Sequence, residues 1–318
     1  MTRTSPLRLG TRRSALATAQ SGMVARAVTA ATGRAVELVE ITTVGDTSQA
    51  TNEPMTQIGG TGVFVSALRE ALARGEIDFA VHSLKDLPTA EPEGLVLAAV
   101  PEREDVRDVL VARDGRKLAD LPAGSRIGTG STRRAALLRL MRSDLEIVAI
   151  RGNVDTRVGY VTAGRLDGVV LAYAGLSRLG RIDEATDLFD PADFLPAPGQ
   201  GALAVECREQ DAELRALLAP LEHRPTRVAV AAERALLAAL EAGCSAPVGG
   251  YAQLHHENDQ ELTVTGIVAS AAAVAAPQSV RGSLTGPAEQ AGRLGAELAA
   301  RMLAQGASAL MAQTGDAL

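Results

Sequence analysis

Apolar and polar residues are grouped along the first two thirds of the chain in a way that predicts strands alternating with helices. Between the apolar runs, hydrophobic residues recur every three or four positions, as they do on helices that pack one face against a sheet. Strand–helix alternation of this kind predicts a parallel or mixed α/β sheet. The predicted strands are residues 7–10, 36–42, 77–81, 95–100, 108–112, 126–129, 146–150, 168–172 and 202–206.

The helix starts carry their own signals. Ser14 is the expected N-cap of the first helix, because its hydroxyl can accept a hydrogen bond from a free backbone N–H. Phe64, Leu68 and Leu72 mark one face of the second helix, which follows a glycine-rich segment. Further helices are predicted over residues 131–142 and from 154 to about 164.

The C-terminal part of the chain has a different pattern, which predicts a small α+β unit. Its final helix is amphipathic, with Leu294, Leu298 and Met302 on one face, and the residues after Ala307 predict only a frayed end. The other predicted elements are a helix over residues 226–242 and strands near residues 248–254 and 262–268.

Three charged or proline-rich segments interrupt these patterns and predict linkers. They are residues 101–106, 187–201 and 223–225. A chain of 318 residues is long enough for two or three domains, each with its own core.

Composition narrows the class of protein. No apolar run approaches the roughly 20 residues that a membrane helix needs, and the first ten residues contain no apolar stretch typical of a secretory signal. Two cysteines are too few for a disulfide framework. We therefore expect a cytoplasmic protein with no membrane partner.

The net charge of −6 conceals a basic segment. Between Arg126 and Arg165 there are eight arginines and only three acidic residues. A focused excess of this kind in an acidic protein favours a site for a small polyanion. Nucleic acid is not the expected partner, because its binders usually have a basic domain with aromatic stacking residues, and aromatics make up 2% of this chain.

A lysine and an aspartate follow the predicted strand 77–81. Lys85 and Asp86 precede Pro88, which forces a loop, so they lie where a strand ends and the chain turns. Ligands of open α/β sheets usually bind at such strand ends. A neighbouring cation and acid can hold an anionic substrate and move protons. The alternative is a solvent-exposed ion pair, which on these residues alone is the commoner case.

Arginines follow several other predicted strands. Residues 128–134 begin with a Gly-Thr-Gly turn and continue with Ser131, Arg133 and Arg134 at a predicted helix N-terminus, where free N–H groups attract anions. The third glycine of a dinucleotide fingerprint is missing, which weakens NAD binding. Residues 151–157 repeat the arrangement one strand later, and Arg12 does so at the first strand. Taken singly, each could be a surface arginine; together they favour a small polycarboxylate or polyphosphate.

The two cysteines have different predicted surroundings. Cys207 ends an apolar strand and is expected to be a buried, unreactive thiol. Cys244 lies between Gly243 and Ser245 in a predicted loop, so it is either an accessible nucleophile or attachment point, or an ordinary loop residue. The histidines and cysteines show no metal-binding spacing.

Eight motifs, in order along nearly the whole chain, make the sequence resemble the porphobilinogen deaminase (hydroxymethylbilane synthase) family. Each motif is weak alone, whereas the ordered set is specific. They are Thr11-Arg12-Arg13-Ser14, Thr43-Val44-Gly45-Asp46, His82-Ser83-Leu84-Lys85-Asp86-Leu87-Pro88, Gly128-Thr129-Gly130-Ser131-Thr132-Arg133-Arg134, Arg151-Gly152-Asn153-Val154-Asp155-Thr156-Arg157, Ala174-Gly175-Leu176-Ser177-Arg178-Leu179, Pro198-Gly199-Gln200-Gly201-Ala202 and Gly243-Cys244-Ser245-Ala246-Pro247-Val248-Gly249.

The resemblance implies a transferase of tetrapyrrole (heme) biosynthesis. Four porphobilinogen molecules would be joined head to tail, with loss of ammonia, to give hydroxymethylbilane. The primer would be a dipyrromethane cofactor held by a thioether to Cys244. The family expectation is a monomer.

The resemblance also assigns roles to residues. Asp86 would be the acid–base group that contacts pyrrole N–H groups, assists the loss of ammonia and steadies the positive azafulvene, with Lys85 beside it. Phe64 would lie near the substrate pyrrole, and Gln200 near the hinge and the site. The expected carboxylate ligands are Arg12, Ser14, Lys85, Ser131, Arg133, Arg134, Arg151, Arg157 and Arg178.

The implied fold is α/β, with two periplasmic-binding-protein-like (type II) domains around a cleft and a small α+β C-terminal domain. Domain 1 would comprise residues 1–101 and 202–219, domain 2 residues 107–195, and domain 3, with the cysteine, residues 224–318. The family often has lysines where this chain has Gln57 and Thr61, and Arg13 is an additional cation.

Two other functions fit parts of the pattern. A solute-binding module would use the same two-domain cleft to hold an anion without catalysis, but it needs an export signal and has no use for an accessible Cys244. An NAD(P)-dependent enzyme would depend on the Gly128–Gly130 turn alone. A covalent primer, detectable by mass, distinguishes the deaminase from both.

Overall fold

The computed structural model describes residues 5–41, 62–243, 246–255, 260–270 and 278–312, without the side chains of residues 62–64. The chain divides into two compact units. The first comprises Met1–Arg103 and Ala202–Arg227, and the second comprises Glu104–Gly201 and Val228–Leu318. No helix in the described ranges is long and apolar enough to cross a membrane.

The strands and helices fall largely where the hydrophobic pattern predicts them. The strands are β1 (Leu7–Thr11), β2 (Val36–Glu40), β3 (Phe79–Ser83), β4 (Leu95–Ala99), β5 (Asp108–Ala112), β6 (Arg126–Thr129), β7 (Glu146–Ala149), β8 (Gly168–Ala172), β9 (Asp187–Leu188), β10 (Leu203–Arg208), β11 (Val248–Leu254), β12 (Glu261–Ala269) and β13 (Ser279–Pro287). The helices are α1 (Ala15–Thr32), α2 (Gly62–Ala73), α3 (Thr132–Met141), α4 (Val154–Thr162), α5 (Tyr173–Arg178), α6 (Ala212–Leu218), α7 (Arg224–Ala239), α8 (Ala291–Ala304) and α9 (Ala307–Ala312).

The first unit contains a five-stranded sheet with the strand order β2-β1-β3-β10-β4. β1 pairs in parallel with β2 and β3, whereas β10 lies antiparallel between β3 and β4. Helix α1 starts as predicted, because Ser14 Oγ accepts a hydrogen bond from the Ala17 N–H at 3.3 Å. The helix ends at Gly33, whose φ of 71° few other residues adopt.

The second unit contains another five-stranded sheet, with the order β7-β6-β8-β5-β9. β6 pairs in parallel with β7 and β8, and β5 is antiparallel to β8 and β9. Two apolar clusters cover the faces of the sheet. One includes Ile127, Leu137 and Phe194, and the other includes Val169 and Leu176.

The C-terminal part of the second unit is a three-stranded antiparallel sheet, β11-β12-β13, packed against α7, α8 and α9. Leu294, Leu298 and Met302 are all buried in this core, which confirms the predicted face of the final helix. The expectation of a frayed end after Ala307 is wrong for residues 307–312, which form a helix that buries Leu310.

The predicted linker over residues 187–201 is a packed segment. Phe194 is 0% exposed and Leu195 is 1% exposed. The prolines interrupt regular structure without bringing the chain to the surface, because the aromatic and leucine side chains between them fill the core beside Ile127. Proline content therefore indicates irregular backbone here, and not a solvent-exposed connection.

Candidate functional site

Two predicted site segments meet at one edge of the first sheet. β1 and β3 run parallel with Leu9 opposite Phe79 and Gly10 opposite Ala80, so both strands end at the same edge. Arg12 follows β1, and a single 3-10 turn, Leu84–Asp86, follows β3. The half-buried Arg12 and the turn with Lys85 and Asp86 therefore occupy neighbouring strand ends, as the sequence predicts.

Buried leucines and backbone hydrogen bonds hold the Leu84–Asp86 turn. Leu84 and Leu87 are 0% and 2% exposed. The Leu84 N–H donates to the carbonyl of Ala202 at 3.0 Å, and the Leu87 N–H donates to the carbonyl of Leu84 at 3.1 Å. Asp86 is exposed, and no described residue forms a hydrogen bond or ion pair with its carboxylate. The turn is thus fixed while its acid stays accessible.

A buried acid supports β3 from the neighbouring strand, and sequence reasoning missed it. Glu206 on β10 is 0% exposed and receives two hydrogen bonds from Arg69 Nε and one from Nη2, at 2.9–3.2 Å. His82 Nε2 lies 3.4 Å from its Oε2. Burial alone would raise the pKa of Glu206, but the interactions with the nearby His82 and Arg69 outweigh it and lower the pKa. The sequence feature that could have indicated this buried acid is a glutamate inside an otherwise apolar strand.

The polar residues that follow β1 make separate contacts. The Ser14 hydroxyl caps α1, and Thr18 Oγ1 donates to the carbonyl of Arg12 at 3.4 Å. Arg13, the additional cation, forms an exposed ion pair with Glu40 at 3.1 Å. Arg13 therefore faces the end of β2.

Three neighbouring parallel strands end at one edge of the second sheet, and each is followed by predicted site residues. Ser131 N-caps α3 after β6, accepting from the Arg134 N–H at 3.4 Å. Asn153 N-caps α4 after β7, accepting from the Thr156 N–H at 2.9 Å. Helix α5 begins directly after β8 and ends at Arg178. Two capped helix N-termini therefore face this edge with their positive dipole ends.

A glycine brings the first two strand ends together. A Cβ at Gly130 would lie 2.6 Å from the carbonyl oxygen of Ile150 and 3.8 Å from Arg157 Nη2. Only glycine permits this approach. Arg157 is half-buried and donates from Nε to the carbonyl of Gly152 at 2.9 Å, whereas Arg151 is exposed. The structure thus places Arg157 beside the Gly130 turn.

Arg133 and Arg134 lie in the interior, which their position on the first turn of α3 did not predict. They are 3% and 5% exposed, and both pair with Asp108, which is 0% exposed. The Nη1 of Arg133 is 2.8 Å from Oδ2 of Asp108, and the Nη2 of Arg134 is 2.7 Å from Oδ1. Burial lowers the pKa of Arg133. The sequence feature that could have indicated the buried Asp108 is an acid at the start of an otherwise apolar strand.

Arg178 and Gln200 contact the two segments where the chain passes between the units. Arg178 Nη2 donates to the carbonyl of Gly201 at 2.6 Å. Burial lowers the pKa of Arg178, and the charge of Glu104 opposes that shift. Gln200 is 0% exposed and donates from Nε2 to Asp108 Oδ1 at 3.0 Å and to the carbonyl of Val106 at 2.8 Å. Gln200 therefore belongs to the buried cluster around Asp108.

Several predicted positions lie outside the described residues. They are Cys244, Gln57, Thr61 and the side chain of Phe64, whose backbone lies in the first turn of α2. Cys207 is described: it is 0% exposed, and burial raises the pKa of its thiol to about 11. This confirms Cys207 as a buried, unreactive thiol.

The described groups suit a ligand with several carboxylates. Guanidinium groups remain charged at any working pH and bind carboxylates through two parallel hydrogen bonds. Those of the second unit follow three adjacent strands, β6, β7 and β8, at one edge of its sheet. In the first unit, Asp86 is an accessible acid, which can accept N–H groups or exchange protons.

Family models match most of the chain. The model "Porphobilinogen deaminase, dipyromethane cofactor binding domain" matches residues 7–216, and "Porphobilinogen deaminase, C-terminal domain" matches residues 228–304. Porphobilinogen deaminase 1 of Streptomyces coelicolor is 62% identical over 96% of this chain and 98% of its own length. Porphobilinogen deaminase of Thermobifida fusca is 57% identical over 97% of both chains. A periplasmic substrate-binding protein structure from Coxiella burnetii is 16% identical over 72% of this chain and 96% of its own, with a TM-score of 0.43.

Proposed function

The chain belongs to the porphobilinogen deaminase family, and we propose that Asp86 and the arginines at the strand ends carry out its reaction. The enzyme polymerises porphobilinogen in tetrapyrrole biosynthesis and uses a dipyrromethane cofactor. Its fold is of the α/β class predicted from the sequence, with two five-stranded mixed sheets and a small C-terminal part that contains a three-stranded antiparallel sheet. Family membership sets aside the solute-binding module and the NAD(P)-dependent enzyme.

The residues of the second unit fit a dipyrromethane bearing acetate and propionate groups. The observation that supports this most is the common edge of β6, β7 and β8, where Ser131, Arg151, Arg157 and Arg178 follow successive strands. The exposed Arg151 and the half-buried Arg157 are best placed to grip carboxylates directly, next to two helix N-termini. When bound, the cofactor supplies the pyrrole carbon to which substrate is joined.

Behind that edge, Arg133 and Arg134 supply positive charge from the interior. In a buried site, charge acts through a lower effective dielectric than at the surface, so it attracts a carboxylate more strongly. The resemblance assigns carboxylate contacts also to Arg12, Ser14 and Lys85, which lie at the ends of β1 and β3 in the first unit. The resemblance adds Phe64 beside the substrate ring, Gln200 near the site and Cys244 as the attachment point.

Asp86 would be the acid–base group for each addition. An accessible carboxylate can accept hydrogen bonds from the pyrrole N–H and from the protonated amine of the substrate, and the amine departs as ammonia. The bond between carbon and nitrogen breaks with its electron pair on nitrogen, so positive charge remains on the substrate. The ionised carboxylate of Asp86 then stabilises that charge, and it can take up the proton released when the new carbon–carbon bond forms.

Replacing Arg151 or Arg157 with alanine should stall chain growth. Each substitution removes a charge-assisted contact worth roughly 1.5–3 kcal/mol, so elongation should slow by about 10- to 100-fold. Intact-mass spectrometry of the enzyme after mixing with porphobilinogen would show short enzyme-bound chains accumulating.

The matched control for both substitutions is Arg126→Ala. Arg126 is an exposed arginine at the opposite end of β6, paired with Glu146, and its removal should leave the series of bound chains unchanged. If Arg151→Ala and Arg157→Ala gave the same series as Arg126→Ala, both would be peripheral to chain growth.

We also propose the three-domain division, with domain 1 at residues 1–101 and 202–219, domain 2 at 107–195 and domain 3 at 224–318. The first compact unit, Met1–Arg103 with Ala202–Arg227, supports the return of the chain to domain 1. The separate family models over residues 7–216 and 228–304 support a distinct C-terminal domain.

Family membership further supports a cytoplasmic monomer. Light scattering of the purified protein should give the mass of one chain, 32.9 kDa, plus the cofactor. A mass of two chains at micromolar concentration would contradict the monomer.

A further inference from the structure

A carboxylate with no exposed surface lies in the interior of the second unit. Asp108 is the first residue of β5 and is 0% exposed, and the four residues that follow it in the strand are apolar. Burying a carboxylate is costly unless charged partners and hydrogen bonds compensate for lost water. The partners of Asp108 therefore indicate why an acid occupies this position.

Asp108 fixes two guanidinium groups at once. Its Oδ1 accepts from Arg134 Nε at 2.9 Å and lies 2.7 Å from Arg134 Nη2, while its Oδ2 lies 2.8 Å from Arg133 Nη1. Arg134 Nη1 donates to the carbonyl of Val170 at 3.1 Å, so protein acceptors occupy Nε, Nη1 and Nη2 of this residue. The orientation of Arg134 is thus determined by the protein itself.

Arg133 is held on one side only. Its Nη1 also donates to the carbonyl of Leu195 at 2.6 Å, and its guanidinium carbon lies 5.8 Å from the ring centroid of Phe194. Its buried Nε has no hydrogen-bond partner among the described residues. Arg133 therefore retains donor capacity that Arg134 has used on protein atoms.

The charges of this cluster are unequal. Two buried guanidinium groups face one described carboxylate, and Gln200, which also donates to Asp108, adds no charge. An uncompensated buried charge is unfavourable, so a carboxylate of a bound ligand would stabilise the cluster. Removing the charge of Asp108 would leave two adjacent like charges in the interior, held by the backbone carbonyls of Leu195 and Val170 but without their shared acid.

The same acid is connected to the C-terminal part of the chain. Gln200 follows Gly199, whose N–H donates to Glu233 Oε2 on α7 at 2.7 Å. Glu233 is 0% exposed, and its Oε1 accepts from the Ala252 N–H at 2.9 Å. Asp108 thus joins α3, the segment around Gly199 and, through it, the sheet that follows α7.

We propose that Asp108 is a positioning residue that orients Arg133 and Arg134, so that Arg133 binds a cofactor or substrate carboxylate while Arg134 acts as its support. This inference rests on the proposed function of the arginine cluster. It assigns different roles to two adjacent arginines that cannot be distinguished by sequence pattern.

The test is Asp108→Asn in the full-length protein. Intact mass gives the fraction of chains that carry dipyrromethane, and mixing with porphobilinogen gives the series of bound chains. We expect primer occupancy to fall by roughly tenfold or more, the effect of losing an oriented charge-assisted contact. Normal occupancy and an unchanged series in a folded Asp108→Asn protein would overturn the proposal.

Asp78→Asn is the matched control. Asp78 is 4% exposed and pairs with Arg8 and Arg208, in the first unit. Its loss should lower the melting temperature while primer occupancy stays at the level of the unmodified protein. An equal loss of occupancy in both variants would assign the effect of Asp108→Asn to stability and overturn the proposal.

If Asp108→Asn does not fold, the double variant Asp108→Asn with Arg134→Met decides the question. It leaves one guanidinium in place of two, which should restore folding. A folded double variant should still fail to load primer, because Arg133 lacks its orienting acid; normal loading would overturn the proposal. Arg133→Ala tests the carboxylate-binding role of Arg133 separately from the positioning role of Asp108. Normal primer loading in Arg133→Ala would contradict the carboxylate-binding role.

Discussion

Replacing Asp86 with alanine should leave a folded protein whose rate of porphobilinogen polymerisation is lower by about 10²- to 10⁴-fold, the usual contribution of general acid–base catalysis. The turn is held by the buried Leu84 and Leu87, and the Asp86 carboxylate has no described partner to lose. The melting temperature should therefore stay within a few degrees while turnover nearly stops. Steady-state kinetics and thermal unfolding measure the two effects separately.

The chain offers a close control for Asp86→Ala. Asp120 also ends a 3-10 turn, Leu118–Asp120, in which the leucine is buried and the acid is exposed. Asp120→Ala should reproduce any effect of shortening an exposed acid in such a turn, and it should leave turnover unchanged. Turnover in Asp86→Ala close to that of Asp120→Ala would contradict the catalytic role of Asp86.

Replacing Cys244 with serine should remove the covalent primer. Intact mass of the unmodified protein should exceed that of the polypeptide by one dipyrromethane, and Cys244→Ser should lose this increment completely. The increment is lost because a serine hydroxyl cannot form the thioether. Activity should fall with the increment, because no primer remains to be extended.

Cys207→Ala is the control for the cysteine assignment. The Cys207 thiol is fully buried, and its pKa of about 11 keeps it protonated at neutral pH, where it is a poor nucleophile. The variant should retain the mass increment. An active protein with no increment, or an increment that survives in Cys244→Ser, would refute the covalent attachment at Cys244.

The strand ends were predictable from the sequence because short apolar runs bounded by glycine, proline or charged residues locate buried strands well. Arg12, Lys85, Asp86 and Arg151 were predicted at such ends, and the structure places them there. Their grouping at shared edges follows from the parallel pairing of β1 with β3 and of β6 with β7. Local pattern was sufficient for these positions.

The interior of the site was not predictable in this way. Arg133 and Arg134 look like surface residues of a first helical turn, and only tertiary packing shows that Asp108, 25 residues before Arg133, holds them in the interior. Buried ion pairs are long-range features, and hydrophobic periodicity carries no information about which charges meet. Each acid within an apolar strand, Asp108 and Glu206, nevertheless marks one of these pairs.

Strand β13 shows a second limit of the pattern. Its positions that face the core include Gly282 and Gly286, whose Cα atoms lie under Leu298 and Leu294 of α8. Close packing of a helix on the sheet requires small residues there, so the strand lacks the alternating large apolar side chains by which strands are recognised. The glycines that allow α8 to pack closely on β13 therefore also prevent the hydrophobic pattern from predicting this strand.

The position of β10 determines when the first sheet can be completed during synthesis of the chain. This strand fills the gap between β3 and β4, and the carbonyl of Ala202, just before it, accepts the hydrogen bond from Leu84. On the ribosome, the first hundred residues would emerge with that gap open, and nearly a hundred more must be synthesised before it closes. Until then the edges of β3 and β4 are open to chaperones, to neighbouring nascent chains and to mispairing.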